Sequence, residues 1–133
     1  AVENVGVFDL SDRIRTFASD MFSGFSSEDQ EAYDAVVSNP PYVSDRDFEF
    51  LDPWVKAEPE VALRGGREGL DFLEILCEES GKFIRKGGFL ALEVGYDQSR
   101  KVRDKMAENG FSRIEAIRDG NGFNRVVIGR KNG

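Results

Sequence analysis

An apolar strand that runs straight into a pair of prolines limits what this chain can become. Residues Tyr33-Asp34-Ala35-Val36-Val37-Ser38 read as a β-strand, and Asn39-Pro40-Pro41-Tyr42 follows without a spacer. Consecutive prolines fix φ and remove backbone N–H donors, so a paired strand cannot continue through them. The carbonyls beside them are left to accept hydrogen bonds from something other than the chain. Asn39 adds a side-chain carbonyl and Tyr42 a flat ring. Together they form a small rigid site able to grip a planar NH₂ group and stack on it. That suits chemistry on an amide or amino nitrogen.

The remaining pattern supplies a frame for this site. Residues 1–6 predict the tail of a helix stopped by Gly6. Residues 12–18 alternate polar and apolar side chains and predict a strand ending at Ser19-Asp20, and residues 23–31 predict a loop. From Ser44 to Gly69 no period holds, and loops of such length are often functional. Phe48, Phe50, Leu51, Trp54 and Val61 give that loop apolar surface with which to pack down.

Leu70, Leu73, Leu76, Cys77, Phe83 and Ile84 follow helical spacing, closed by Lys86-Gly87-Gly88. Phe89-Leu90-Ala91-Leu92-Glu93-Val94 predicts a strand buried on both faces. Asp97 or Ser99 is expected to cap a helix carrying Val102, Met106 and Ala107 and stopped at Asn109-Gly110. Strands over about 111–118 and 124–130 flank the turn Asp119-Gly120-Asn121-Gly122. Strands alternating with helices imply an α/β fold with a mostly parallel sheet, here ending in an antiparallel hairpin. Residues 1–133 read as one domain without internal repeats.

Composition narrows the chemistry. The chain has no His, which removes imidazole bases, Ser–His and Cys–His pairs and His metal ligands. Cys77 is the only Cys, so no internal disulfide or cysteine-based zinc site can form, and a reduced, cytoplasmic setting is expected. Its place in a helical pattern reads as a small buried hydrophobe. The net charge of −7 and the lack of a Lys/Arg-rich stripe argue against a phosphate-backbone binder and fit a basic protein partner. No apolar run approaches the roughly 18 residues a membrane helix needs, and no signal-peptide pattern is present. A soluble globular chain is the expectation.

With these residues in view, the chain resembles the C-terminal part of the HemK/PrmC glutamine methyltransferases, class I S-adenosylmethionine enzymes. The likeness runs through Asp34 to Val43, Glu58-Pro59-Glu60-Val61-Ala62-Leu63, Gly65-Gly66, Gly69-Leu70-Asp71-Phe72, Gly87 to Gly95 and Arg125-Val126-Val127. The Asn-Pro-Pro-Tyr run is shared with adenine methyltransferases. The Glu-Pro-x-x-Ala-Leu block with its trailing glycines is more particular to this family.

The resemblance implies a Rossmann-like class I methyltransferase sheet and methylation of the glutamine amide nitrogen in the Gly-Gly-Gln motif of peptide chain release factors. That activity belongs to protein methylation in translation termination. Asn39 and Pro40 would accept the two N–H bonds of the amide, Tyr42 would pack on its plane, and Pro41 would complete the substrate contact. Glu58 would order the substrate loop, or else be a solvated loop charge. Asp20 would accept from the adenine amino group of the cofactor and Met21 would cover its ring, with Asn39 also facing the cofactor. Asp20 also reads as a turn or capping residue, and several relatives carry an aromatic where Met21 stands. Gly65, Gly66 and Gly69 would serve backbone geometry.

One departure matters most. The family's Gly-rich cofactor loop, its ribose-binding acid and the first two strands of the class I sheet have no counterpart in these residues. Those strands would lie between 12–18 and 33–38. The chain alone is therefore expected to bind S-adenosylmethionine poorly, to turn over little, and to self-associate through exposed strand edges. The alternatives are an adenine amino methyltransferase acting on a flipped base, and a non-catalytic remnant of the same fold.

Overall fold

Near-continuous apolar sequence from Phe89 onward makes one strand the spine of the molecule. The computed structural model describes residues 1–133. Its elements are α1 (Val2–Val7), β1 (Tyr33–Ser38), α2 (Asp45–Phe48), α3 (Asp71–Glu79), β2 (Ile84–Glu93), α4 (Ser99–Glu108), β3 (Phe111–Arg118) and β4 (Asn124–Lys131). The four strands form one mixed sheet in the order β1-β2-β4-β3. β1 runs parallel to β2, while β4 is antiparallel to both β2 and β3. The parallel pair and the closing hairpin are those expected, and the hairpin strands fall within a residue of their predicted spans.

Helices α3 and α4 bury Leu73, Leu76 and Cys77, and Val102 and Met106, respectively. These side chains meet Ile84, Leu90, Leu92, Val94, Phe111 and Val127 in one core. Each fully buried Leu, Ile or Val there contributes about 2 kcal/mol of transfer free energy. Cys77 is wholly buried, and burial pushes its thiol up to about 12, so it is a core hydrophobe and no nucleophile.

Several expectations are corrected. Residues 12–18 form no strand; Ile14 and Phe17 lie in irregular chain with 42% and 55% of their surface exposed. A strand exists only beside a partner that takes its backbone hydrogen bonds, and no strand of this sheet pairs with that segment. The outer edge of β1 is likewise unpaired, with Val37 72% exposed.

The helix predicted to close at Lys86-Gly87-Gly88 ends earlier. α3 stops at Glu79, a 3₁₀ turn covers Ser80–Lys82, and β2 has already begun at Ile84. Between the pairings Tyr33–Ile84 and Ala35–Phe89 the register shifts, so Arg85 to Gly88 bulge out of the ladder. Gly87 has φ +76°, and a Cβ on Gly88 would lie 2.6 Å from the Asp34 carbonyl. The two glycines mark a bulge rather than a helix stop. At the other helix, neither Asp97 nor Ser99 caps α4. Gln98 occupies the N-cap position and its side chain makes no capping bond. At the amino terminus, α1 runs through Gly6 to Val7.

The turn after β3 is built around Asp119. Its Oδ1 accepts from the N–H groups of Asn121 (2.8 Å) and Phe123 (3.0 Å), and Oδ2 accepts from Arg125 Nε at 2.8 Å. The Arg125 guanidinium, aided by the backbone N–H groups of Phe123 and Asn121, holds this carboxyl below its ordinary value of 3.8. A depressed carboxylate stabilises the fold above its unfolded pKa, and that contribution is lost as pH falls through the folded value. Carbon-detected NMR titration should therefore place the Asp119 midpoint below 3.8. Arg125→Met should move it upward, and a midpoint indifferent to Arg125 would contradict the pairing.

Candidate functional site

Parallel register decides where the proline run emerges. Ser38 lies opposite Leu92, so Asn39 leaves β1 beside Glu93 at the end of β2. Both strands point their carboxyl ends to this edge, where open α/β sheets bind ligands. The Tyr42 hydroxyl donates to Glu93 Oε1 at 3.0 Å. Burial, together with the Glu93 hydrogen bond and charge, raises the Tyr42 pKa above 10.0. The ring is thus a neutral phenol at physiological pH, tethered at its tip.

Asn39, Pro40, Tyr42, Leu51, Val55 and Glu58 line one cleft of about 390 Å³. Pro40 is buried, Pro41 and Tyr42 are half-buried, and Asn39 is exposed at the rim. No backbone N–H of the chain reaches the Pro40 carbonyl. The cleft therefore brings a carboxamide, a carbonyl without a backbone donor and an aromatic ring together.

The loop is strapped in place by the glycine block. Val43 N–H donates to the Leu63 carbonyl and Gly65 N–H returns a bond to Val43, both at 2.9 Å, and Asp45 N–H donates to Gly66 at 3.0 Å. Gly66 and Gly69 adopt φ of +85° and +72°, which L side chains resist, and a Cβ on Gly65 would lie 2.7 Å from the Pro41 carbonyl. These glycines serve backbone geometry, as expected.

Arg64 holds the outer loop. It pairs with Asp45 (3.1 Å), Glu49 (3.9 Å) and Glu60, and its guanidinium stacks 4.0 Å over the Phe48 ring. Phe48 and Leu51 do pack down. Phe50, Trp54 and Val61 do not, remaining 82%, 88% and 77% exposed. The backbone there is only a single turn of α2 and two 3₁₀ turns, too short to roll those side chains inward.

Asp20 and Met21 are not brought to this cleft. Phe22, next to them, stacks on Phe83 with ring centroids 5.0 Å apart, and Phe25 packs on Phe83 and Tyr33. Tyr33 and Phe83 stand at the amino ends of β1 and β2. Tyr33 lies six residue steps, roughly 20 Å, along the strand from Asn39. Aromatic burial draws the segment to the opposite end of the sheet, while Asp20 itself stays exposed. Asp20 and Met21 are therefore not among the residues that line the cleft with Asn39, Pro40 and Tyr42.

Sequence reasoning missed Glu93, Gln98 and Arg64. Glu93 carried a signal, since it is the one charge within an otherwise apolar run. Gln98 and Arg64 stood out less, because Gln98 bonds Tyr42 and Gly69, 56 and 29 residues away, and Arg64 pairs with Asp45, 19 residues away, as well as with nearby Glu60.

Known proteins resemble this chain in sequence and fold. No family model matches the chain. It is 34% identical over 129 residues to the release factor glutamine methyltransferase of Aquifex aeolicus, covering 97% of this chain and 44% of that protein. It is 38% identical over 130 residues to the enzyme of the same name from Clostridium botulinum, covering 97% and 46%. The chain thus spans about half the length of the curated relatives it matches. Among solved structures, the E. cuniculi Mtq2-Trm112 complex, described as responsible for methylation of the eRF1 translation termination factor, aligns with TM-score 0.52 and 26% identity. That alignment covers 77% of this chain and 54% of that one. A methyltransferase from Pyrococcus furiosus aligns with TM-score 0.52 over 75% of this chain and 41% of that one, at 21% identity, and shows the shared fold.

Proposed function

Because the chain belongs to the release factor glutamine methyltransferase family, matching the C-terminal part of its relatives, we propose that it carries the acceptor-binding half of a methyltransferase catalytic domain. The reaction moves a methyl group from S-adenosylmethionine to the side-chain amide nitrogen of the Gly-Gly-Gln glutamine of a peptide chain release factor. The observation that carries this reading is the convergence of Asn39, the unpartnered Pro40 carbonyl, Tyr42 and Glu58 on one cleft.

An amide nitrogen is a poor nucleophile because its lone pair is delocalised into the carbonyl. The residues here act on that problem by placement. The Asn39 side-chain oxygen and the Pro40 carbonyl accept the two N–H bonds, which fixes the nitrogen and leaves one face of it free. Tyr42, held at its hydroxyl by Glu93, packs on the amide plane and stops it from turning. Orientation of this kind supplies several kcal/mol of barrier reduction. S-adenosylmethionine, when bound, supplies the electrophilic sulfonium methyl. No residue here need take a proton before transfer; the nitrogen loses it afterwards.

A protein rather than a nucleic-acid substrate is supported by the loop bordering the cleft. Residues 45–64 hold Asp45, Asp47, Glu49, Asp52, Glu58 and Glu60 against Arg46, Lys56 and Arg64, six acids to three bases. That balance repels phosphate, while exposed Phe50 and Trp54 suit a protein surface. Cofactor contacts by Asp20 and Met21 require residues 12–18 to become the strand that places them. The chain alone should accordingly bind S-adenosylmethionine weakly and transfer little, and its free β1 edge should take a strand from a second copy.

The test is methyl transfer from S-adenosylmethionine by the full-length enzyme and by this chain alone, read by mass spectrometry. The acceptors are a release factor and an adenine-containing oligonucleotide. A single added methyl on the Gly-Gly-Gln glutamine is expected from the full-length enzyme only. Methylation of adenine alone would overturn the reading.

A further inference from the structure

We propose that Gln98 is a positioning residue for the acceptor cleft: its buried carboxamide fixes where Tyr42, and with it Asn39 and Pro40, stands relative to the sheet. The inference rests on reading that cleft as the acceptor site. Gln98 is only 7% exposed. Its Nε2 donates to the carbonyls of Tyr42 (2.9 Å) and Gly69 (3.0 Å), with that of Glu68 at 3.4 Å. Its Oε1 accepts the Gly95 N–H at 2.8 Å. One side chain thus ties the acceptor loop, the glycine block and the turn after β2 to the start of α4.

Only a carboxamide of this length fits those partners. The site presents carbonyl oxygens at one end and an N–H at the other, so it needs donors and an acceptor on one planar group. A carboxylate would aim bare oxygens at carbonyls, and Asn would fall one methylene short. The surroundings keep the space clear. A Cβ on Gly69 would lie 2.7 Å from Gln98 Nε2, and one on Gly95 would lie 2.9 Å from Oε1. The carboxamide also caps nothing in its own helix, although Gln98 stands at the N-cap.

Tyr42 is consequently held at two points. Gln98 takes its carbonyl, and Glu93, two residues before Gly95, takes its hydroxyl. Pro40 and Pro41 transmit that position stiffly to Asn39, because their φ angles are locked. Release of the carbonyl should let the loop shift by a fraction of an ångström to an ångström. Misplacement on that scale costs roughly a hundredfold in rate.

Gln98→Met keeps the length and volume and removes every side-chain hydrogen bond. In the full-length enzyme it should speed amide hydrogen exchange of residues 39–45 about tenfold. It should also lower kcat for release factor methylation about a hundredfold, with KM for S-adenosylmethionine unchanged. A merely structural role would lower the melting temperature and leave kcat per folded molecule alone. Wild-type loop exchange or wild-type kcat in the folded variant would overturn the proposal. Should Gln98→Met not fold, Gln98→Asn, which keeps an amide one methylene short, carries the same readouts with the same criteria. If the wild-type enzyme itself methylates no release factor, the acceptor reading has failed. Loop exchange then still decides whether Gln98 holds Tyr42.

Discussion

Asn39→Ala should lower kcat/KM for release factor methylation by at least about a hundredfold while leaving the fold intact. Asn39 is exposed at the rim of the cleft, so its truncation removes little packing. Exposed substitutions away from caps and networks stay within about 0.5 kcal/mol. What disappears is the acceptor for one of the two amide N–H bonds. With Pro40 alone, the substrate NH₂ can rotate about its remaining hydrogen bond, and the reacting nitrogen loses its aim. Steady-state kinetics of the full-length enzyme with an unmodified release factor, beside a thermal melt of the same preparation, measures both halves. Wild-type kcat/KM in Asn39→Ala would show that this carboxamide does not hold the acceptor. Loss of activity together with loss of the melting transition would assign Asn39 to folding instead.

Gly69→Ala should destabilise the protein by about 3 kcal/mol and disturb the acceptor loop with it. Gly69 has φ +72°, and an added Cβ would collide with the Tyr42 carbonyl oxygen as well as meeting Gln98 Nε2 at 2.7 Å. The left-handed backbone costs an L residue about 1 kcal/mol. Forcing a methyl into packed surroundings adds about 1–3 kcal/mol. Gly87 separates the two effects. It has a similar φ of +76°, but a Cβ there meets nothing within 4 Å. Gly87→Ala should therefore cost about 1 kcal/mol, the backbone part alone. Urea unfolding of both variants compares them directly. Equal losses would mean that the approach of Gly69 to the acceptor loop contributes nothing, and that the loop yields freely to the added methyl.

Local signals reach some elements of this chain and not others. β1 and its abrupt end were legible because apolar residues before two prolines leave one reading. The closing hairpin was legible for the same kind of reason, a turn-rich tetrapeptide between two alternating runs. At the amino end of β2 the sequence points the other way, because Ile84 continues a helical spacing while the register with Tyr33 makes it a strand residue. The alternation in 12–18 is genuine, but alternation only makes a segment able to pair and does not supply the partner. Phe22 and Phe25 instead pack on Phe83, and Phe25 on Tyr33, and that packing outweighs the local preference.

By itself the sequence determined the groups on which the proposed acceptor chemistry rests: a carboxamide, a carbonyl beside prolines and an aromatic ring, joined by a backbone that the prolines make stiff. It also determined the α/β class and the absence of imidazole side chains, properties of residue identity and short-range spacing, and it carries the motifs by which the chain resembles its family. Only the tertiary structure decided what holds that chemistry in place. Parallel register set Glu93 beside Tyr42, chain closure delivered Gln98 to its carbonyl, and Arg64 gathered Asp45, Glu49 and Glu60 into one knot. The Tyr42–Glu93, Tyr42–Gln98 and Asp45–Arg64 contacts join residues far apart in the chain and depend on where the sheet and helices bring the backbone. No periodicity or motif around either partner records that.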